Sequence, residues 1–521
     1  MSKKSYKTPG VYVEEVSGFP NSVAQVETAI PAFIGYTPRA EQNGANCAFV
    51  PTKVQSFTEF ERIFCFPHGA EPVQQYSPQY YLVKQKSKPS SGDFLLIGSD
   101  YYSIVPDPYS IYYLYNSIKL FYQNGGGVAY IVSVGGYGKT SGMPQKPDES
   151  LVNPNVQLAD LLKGLAALKK EKDPTMYICP EATLLSIAEN GTLMQQMLMQ
   201  NKEMRTAISI FDIIGGNREN PLGYIEDIEA FRNHTGTTGL DFGTVYYPFV
   251  GTTIMAMQDV NYSNLFDGDV KQLATILSTI TSENDAVKLL KSIYSSESLV
   301  SVTENHRALL AISATYKAII STILQVVNIL PASGGMAGVI TMVDNSSGVW
   351  NAPANVSMNG VASLPIHIDN REQEGLNVDA VSGKSINAIR SFTGRGILVW
   401  GARTLAGNDN EWRYIPVRRT MIFIEQSCKS ACKQFVFEPN DANTWVRVKA
   451  MIESFLNSLW KQGGLVGPTP NDAFFVRCGL GSTMTPDDIL NGQLIVNIGV
   501  AVTRPAEFII ISFSQKQMVS S

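Results

Sequence analysis

The stretch that decides the fold is YSIYYLYNSIKLFYQNGGGVAYIVSV, which runs from Tyr109 to Val134. Its first part, Tyr109–Gln123, is rich in Tyr and Leu and is predicted to form a helix. The run Asn124-Gly125-Gly126-Gly127 ends that helix, because asparagine and glycine are typical of helix C-termini. Val128–Val134 is then a continuous apolar run and is predicted to be a buried strand.

The same alternation continues along the chain. Helices are predicted at Val156–Lys170, where Leu161, Leu162, Leu165 and Leu168 share one face, and at Glu181–Lys202. Short apolar strands are predicted at Ala29–Tyr36, Met176–Cys179 and Ala207–Ile214. Helices that alternate with buried strands indicate an α/β layer with a largely parallel sheet, within a mixed α+β chain.

The rest of the chain changes character. Two or three helices are predicted within 269–330, a Gly/Ser/Asn-rich connection at Gly334–Pro353, and a strand at Val361–Ile368. The final part is predicted to contain the following elements: strand Gly396–Trp400, helix or helix-to-strand segment Arg418–Phe437, helix Trp445–Trp460, and strands Phe474–Cys478, Leu494–Val502 and Glu507–Phe513.

These patterns divide the chain into seven segments. They are an N-terminal arm (1–28), the start of the core with a variable insertion (29–107), an α/β middle domain (108–268), a helical insertion (269–335), a connection with strands returning to the core (336–393), a C-terminal domain (394–506) and a C-terminal arm (507–521).

The composition of the chain limits the classes of function that it can have. The 521 residues carry 41 basic and 46 acidic side chains, a net charge of −5, and no run of like charges that would indicate a nucleic-acid partner. The six scattered cysteines favour reduced cytoplasmic thiols. No apolar segment resembles a signal peptide or a membrane span, so we expect synthesis in the cytoplasm and no direct membrane insertion.

The best enzyme candidate is the loop Gly135–Thr140, which ends in Gly-Lys-Thr after a buried strand. A phosphate-binding P-loop needs a further glycine where Ser133 stands, and it needs a helix where Ser141-Gly142-Met143-Pro144 continues the loop. A nucleotide-binding enzyme therefore remains only as an alternative. Neither the four dispersed histidines nor Cys428 and Cys432 form a metal or catalytic motif, so no catalytic, cofactor or metal residues are predicted.

The two ends carry the most information. Glu507–Phe513 is strongly β-forming and apolar on both faces, and Val11–Val16 is a second strand bracketed by Pro and Gly turns. An apolar strand left at an open edge would aggregate, so each must be covered. Either they are edge strands of the subunit's own sheet, or each subunit lends them to its neighbours.

Several segments resemble contractile tail sheath proteins, the family found in contractile-tailed phages, R-type pyocins and extracellular contractile injection systems. The segments that carry the resemblance are Lys7–Glu15, Ser22–Gly35, Asn124–Val132, Gly394–Leu405, Trp412–Ile415, Val417–Arg419, Glu438–Asn440 with Trp445, and Arg504–Phe508. No resemblance is found for residues 85–105 or 269–330, which are interpreted as additions.

The resemblance implies a structural subunit and no enzyme. Such subunits stack as six-fold rings around an inner tube, without a nucleotide, and contract to drive the tube through a membrane. The implied partners are other copies, the inner tube protein, and baseplate and tail-terminator or cap proteins, with assembly in the bacterial cytoplasm. A tube or baseplate-associated particle protein remains the structural alternative.

The resemblance also implies residue roles. An inner domain combines the N-terminal and C-terminal segments, and its sheet receives strands from neighbours. The residues assigned to this strand exchange are Val11, Tyr12, Val13, Val16, Phe508, Ile509, Ile510, Ile511 and Phe513. Candidates for contact with the inner tube are Arg447, Lys449 and Lys461, and the loop Gly479–Asp488; for the helix the alternative is a solvated face.

Overall fold

The structure is a computed structural model that describes residues 23–66, 77–89, 94–146, 149–217, 223–295 and 300–510. The chain forms two compact units. The larger unit is Glu27–Ile422 with residues 504–510, and the smaller unit is residues 23–26 with Phe423–Thr503.

The described helices and strands are as follows. The α-helices are α1 (Phe57–Phe64), α2 (Leu114–Gln123), α3 (Leu158–Ala167), α4 (Ile187–Met204), α5 (Gly223–His234), α6 (Val270–Leu277), α7 (Asn284–Tyr294), α8 (Val302–Ile312), α9 (Ala314–Val327), α10 (Ser333–Ser347), α11 (Asn370–Asn377), α12 (Ile415–Cys432), α13 (Ala442–Lys461), α14 (Pro470–Ala473) and α15 (Pro486–Leu490). The strands are β1 (Pro31–Gly35), β2 (Glu41–Gln42), β3 (Ala45–Asn46), β4 (Thr52–Val54), β5 (Tyr80–Lys84), β6 (Phe94–Ile97), β7 (Asp100–Pro106), β8 (Ala129–Ser133), β9 (Met176–Ile178), β10 (Ile208–Asp212), β11 (Gly243–Tyr247), β12 (Val250–Thr252), β13 (Ile329–Leu330), β14 (Val361–Ser363), β15 (Asn387–Phe392), β16 (Gly396–Trp400), β17 (Phe474–Cys478) and β18 (Val496–Val500).

The larger unit is built on an eight-stranded sheet in the order β16-β15-β11-β10-β9-β1-β8-β4. The neighbours from β15 to β8 are parallel, and only the outer strands β16 and β4 are antiparallel. Phe33 of β1 pairs with Ile131 on one side and Ile178 on the other. Every residue of β1, β8, β9, β10 and β11 is buried, as expected for a sheet covered on both faces, so the predicted parallel α/β layer is confirmed.

Two predicted boundaries inside this layer shift for local reasons. Helix α2 begins at Leu114 because Pro108–Ser110 is a separate 3-10 turn capped by the Asp107 side chain. Helix α4 begins at Ile187, where Ser186 and Glu189 form a capping box, and Pro180–Leu184 is again a 3-10 turn.

The predicted Gly/Ser/Asn-rich connection at Gly334–Pro353 is wrong, because most of it is the buried helix α10. The small residues serve close packing against α2 and not flexibility. A Cβ at Gly334 would lie 2.6 Å from the Ser117 carbonyl oxygen, and one at Gly338 would lie 2.6 Å from the Phe121 carbonyl oxygen. Composition alone indicated a loop, whereas tertiary packing selects a helix.

Two segments for which no resemblance was found from sequence lie against each other. Residues 269–330 contain the helices α6 to α9, more than the two or three predicted, and α9 packs on β6 of the small sheet β5-β7-β6. Next to these two segments, and outside both, the Tyr81 and Phe266 rings meet edge to face at 5.8 Å. Within the described residues no single helix is long and apolar enough to cross a membrane; α8 and α9 would qualify only together, and they meet at 114°.

The smaller unit consists of the final part of α12, α13 to α15 and a sheet of two strands, β17 and β18. The predicted helix Trp445–Trp460 is confirmed as most of α13, and Val448, Ile452, Phe455, Leu456 and Leu459 form a buried apolar stripe along it. Strand β16 belongs to the large sheet, and the smaller unit takes up the chain at Phe423. The predicted domain 394–506 stays a prediction.

Candidate functional site

Two separate features are candidates for the functional site: the two-stranded sheet of the smaller unit, and the C-terminal arm, which is described to residue 510 and belongs to the larger unit. Strands β17 and β18 are antiparallel, with Phe474 opposite Val500 and Val476 opposite Ile498. Helix α13 packs on β17. Among the described residues no third strand joins this sheet, although an isolated antiparallel bridge pairs Leu465 with Val502 just beyond β18. Along Phe474–Cys478 and Val496–Val500 the outer backbone edges therefore lack ladder partners among the described residues.

An isolated two-stranded sheet is marginal by itself, and an open edge is a template for another strand. Phe475 on β17 is 48% exposed, so the sheet also presents an apolar side chain beyond its covered face. The unit therefore has the geometry of an acceptor for added strands.

The C-terminal arm supplies the complementary feature. Phe508, Ile509 and Ile510 are 69%, 80% and 90% exposed, and they belong to no strand of their own chain. The predicted strand from Glu507 is therefore not formed in the single chain as far as residue 510. Ile511 and Phe513 lie outside the described residues, as do Val11, Tyr12, Val13 and Val16 of the N-terminal arm.

The root of the C-terminal arm, which is Glu507, is held by side chains to which the sequence analysis assigned no role. Arg403 places its Nη2 2.6 Å and its Nε 2.9 Å from the two carboxylate oxygens of Glu507. Asn377 Nδ2 and the Tyr414 hydroxyl donate to the same carboxylate at 2.8 and 3.0 Å. The feature of the sequence that could have indicated this contact is the charged residue Glu507 at the start of a predicted apolar strand.

A second buried arginine holds the chain close to the N-terminal arm. Arg419 forms an ion pair with Asp344, with 2.6 Å between Nη2 and Oδ2, and the side chains are only 4% and 1% exposed. Arg419 Nη2 also donates to the Thr28 carbonyl oxygen at 2.8 Å. Thr175 Oγ1 donates to that oxygen as well, so the backbone is fixed just before β1.

The predicted inner-tube candidates lie on α13 but differ in their surroundings. Arg447 pairs with Glu438 at 2.7 Å and stacks over the Phe435 ring, and Lys449 pairs with Glu453 at 3.7 Å. Lys461 is exposed in the last turn and has no carboxylate partner within the described part of the chain. The helix thus presents both signs of charge.

The loop Gly135–Thr140 is packed against the protein itself. Its Gly138 N–H donates to the Tyr112 hydroxyl at 2.9 Å, and a Cβ at Gly138 would lie 2.2 Å from Asn155. The Tyr137 ring stacks on Tyr112 with centroids 4.3 Å apart. No helix follows the loop in the described residues up to 146, so it lacks the helix N-terminus that holds a phosphate.

Two buried carboxylates lie at the carboxyl edge of the parallel sheet, where α/β enzymes place their ligands. Burial raises the pKa of Glu181 to about 8 and that of Asp212 to about 7. One oxygen of each carboxylate accepts a hydrogen bond from a backbone N–H. Glu181 Oε1 accepts from Leu114 N at 2.9 Å, and Asp212 Oδ1 accepts from Ser333 N at 2.9 Å. Each therefore caps the start of a helix, α2 or α10, and serves the fold.

Two family models match the chain. The phage tail sheath protein central domain matches residues 267–405, and the phage tail sheath C-terminal domain matches residues 407–516. The first match includes residues 269–330, which had been interpreted as an addition.

Solved structures are similar over nearly the full length. The anti-feeding prophage (AFP) helical sheath in its contracted state has a TM-score of 0.57 and 26% identity, covering 98% of this chain and 100% of that chain. The contracted sheath complex of the extracellular contractile injection system PVC has a TM-score of 0.57 and 25% identity, with 99% of each chain covered. A chain of the six-fold symmetrised AFP baseplate has a TM-score of 0.56 and 26% identity, covering 98% and 100%.

A tail sheath protein of Vibrio phage KVP40 is 25% identical over 188 residues, which are 35% of this chain. That match spans about a quarter (26%) of the relative's length. The fold and these likenesses together define a structural subunit of a contractile sheath. The predicted resemblance to contractile tail sheath proteins is thereby confirmed.

Proposed function

We propose that this sheath subunit polymerises as stacked six-fold rings around an inner tube, and that contraction of the polymer drives the tube through a target membrane. The proposal rests on the presence of two features in one chain: a two-stranded sheet with open edges, and a C-terminal arm whose apolar side chains are exposed. The likeness to contracted sheaths supports the same mechanism.

Strand exchange is the proposed link between subunits. Residues Val11–Val16 of one neighbour and Glu507–Phe513 of another add to the edges of β17 and β18. A donated strand of five or six residues makes several backbone hydrogen bonds, each worth about 1 kcal/mol net. Each side chain such as Phe508 or Ile510 that becomes buried adds roughly 1.5–3 kcal/mol. Such a link survives rigid-body motions that break weaker lateral contacts.

The other partners are proposed from the same likeness to contractile sheaths. We expect the subunit to bind the inner tube protein through Lys461, with Arg447 and Lys449 as weaker candidates because both already pair with glutamates. Baseplate and tail-terminator or cap proteins bound the two ends of the polymer. Assembly takes place in the bacterial cytoplasm, and contraction uses no nucleotide and no catalysis.

The test is the assembly of a variant that keeps the chain length but loses the apolar arm residues. Phe508→Ser with Ile510→Ser changes two side chains that are exposed in the subunit, so the melting temperature should stay within about 2 °C. The critical concentration for polymerisation, measured by sedimentation and electron microscopy, should rise at least tenfold, because roughly 3 kcal/mol or more of interface burial is lost.

The matched control is Val381→Ser with Leu490→Ser, which removes two equally exposed apolar residues, 96% and 84%, outside the arms. It should assemble as the parent does. Normal assembly of the arm variant, or equal loss in both variants, would contradict strand exchange by the C-terminal arm.

A further inference from the structure

The exposure of the side chains changes sharply after Glu507. Its side chain is 21% exposed and accepts hydrogen bonds from three different residues, while the three residues that follow are 69–90% exposed. Within the described residues no backbone hydrogen bond holds positions 505–510. The side chain of Glu507 is therefore the firm polar attachment of this segment to the subunit.

The groups that hold Glu507 are themselves fixed. Arg403 is 3% exposed in its side chain, and its N–H and C=O both bond to the Asn387 amide at 2.8 Å. Asn387 is the first residue of β15 and also donates to Thr244 Oγ1 at 2.9 Å, so Arg403 is tied to the large sheet. Arg403 Nη1 further donates to the Asn377 carbonyl oxygen at the end of α11.

The geometry of the carboxylate favours a rigid hold. The Arg403 guanidinium contacts both oxygens, which is the fork arrangement that restricts orientation as well as distance. Burial raises the pKa of Glu507, but hydrogen bonds from Arg403 and Asn377 and the Arg403 charge lower it further, so the net pKa is below its ordinary value. The ion pair is thus complete at neutral pH.

We propose that Glu507 is the positioning residue of the C-terminal arm: clamped by Arg403, Asn377 and Tyr414, it fixes the root of the arm so that Phe508 and the residues beyond it are presented to a neighbouring subunit. Arg403, Tyr414 and Glu507 lie in three of the segments that carry the resemblance, Gly394–Leu405, Trp412–Ile415 and Arg504–Phe508. None of these three residues was assigned a role from the sequence. The inference rests on the proposed strand exchange by this arm.

A spin label at Ile509→Cys tests the clamp in the full-length subunit, below the concentration at which it polymerises. The site is 80% exposed, and burial raises the pKa of all six native thiols, so the introduced cysteine reacts first near neutral pH. Glu507→Gln should at least halve the rotational correlation time of the label. Tyr414→Phe removes one donor and should have a smaller effect in the same direction.

Two controls separate local release from general loosening. Glu203→Gln removes an exposed ion pair with Lys169 in the same unit and should leave the label at position 509 unchanged. A label at Leu490→Cys should keep its mobility when Glu507 becomes Gln. The melting temperature of Glu507→Gln should stay within a few degrees of the parent.

Assembly is then measured on the unlabelled proteins. The critical concentration of Glu507→Gln should rise about tenfold, although its apolar arm residues are intact. A label that is equally mobile in parent and variant overturns the clamp, whatever the assembly result. A released label with normal assembly overturns the positioning role. If a chain that lacks residues 508–521 still forms normal polymers, strand exchange fails, while the label alone still decides whether the clamp exists.

Discussion

The two sheets of this subunit differ in how completely the chain satisfies them. The large sheet has eight strands, its central strands are buried on both faces, and helices such as α2 and α10 pack beside it. The small sheet has two strands, both with an unpaired edge among the described residues. Both sheets end in edge strands, but six of the eight strands of the large sheet are paired on both sides, whereas neither strand of the small sheet is paired on both sides among the described residues.

We infer from this difference that the two sheets do not depend on neighbouring subunits to the same extent. A sheet whose strands are buried and mostly paired on both sides holds its shape by itself, whereas an isolated two-stranded sheet is marginal and its open edges are templates for further strands. Phe508, Ile509 and Ile510 of the C-terminal arm are exposed, and Glu507 and the Thr28 carbonyl oxygen are tied to the larger unit by Arg403 and Arg419. We therefore expect the larger unit to be stable alone and the smaller unit to gain stability on assembly.

The largest expected effect tests the first half of that comparison. Arg419→Met leaves the buried Asp344 carboxylate without its cation, which should lower the free energy of unfolding by about 3–5 kcal/mol. Urea denaturation of the subunit checks this.

A control separates loss of the charge pair from loss of packing. Arg419→Met combined with Asp344→Leu replaces both ions with apolar groups and should recover much of the loss. If the double variant is as unstable as the single one, the uncompensated charge is not the cause.

Much of the secondary structure of both units could be predicted from sequence because its signals are local. The apolar runs that became β1, β8 and β10 and the stripe of α13 follow directly from periodicity. Helix α10 could not be predicted, since its Gly-rich composition is explained only by the approach of α2. The arm candidates were found as apolar strands, but the clamp at Glu507 joins residues about 100 positions apart, which no local pattern reveals.

A second prediction concerns pH. The pKa of Glu181 in the folded state, about 8, lies above its unfolded value, so the folded state holds a proton that the unfolded state has lost. The contribution of Glu181 to stability is therefore fully present in acid and is lost as pH rises from about 4.5 to 8, by at most about 1.4 kcal/mol per pH unit.

Glu181→Gln keeps the acceptor for the Leu114 N–H but removes this titration. Denaturation at pH 5.5, 7.0 and 8.5 should give a shallower decline than in the parent, and Asp212 still titrates in both proteins. Parallel declines in the two proteins would show that Glu181 does not titrate in this range.

The smallest effect on the subunit is expected from Lys449→Glu with Lys461→Glu in the smaller unit. The Lys449–Glu453 pair is exposed, so the free energy of unfolding should change by less than about 1 kcal/mol. If α13 contacts the inner tube, co-sedimentation with tubes should nevertheless be lost. Unaffected tube-bound particles would instead identify this side of α13 as a solvated face.

The most direct test of the central claim is a cryo-electron microscopy structure of the polymer, resolved well enough to trace individual strands. We predict that β17 and β18 become the middle of a four-stranded sheet. The added strands should be residues 11–16 of one neighbouring copy and residues 508–513 of another. A sheet that still has two strands in the polymer, or one completed by the arms of its own subunit, would contradict the account.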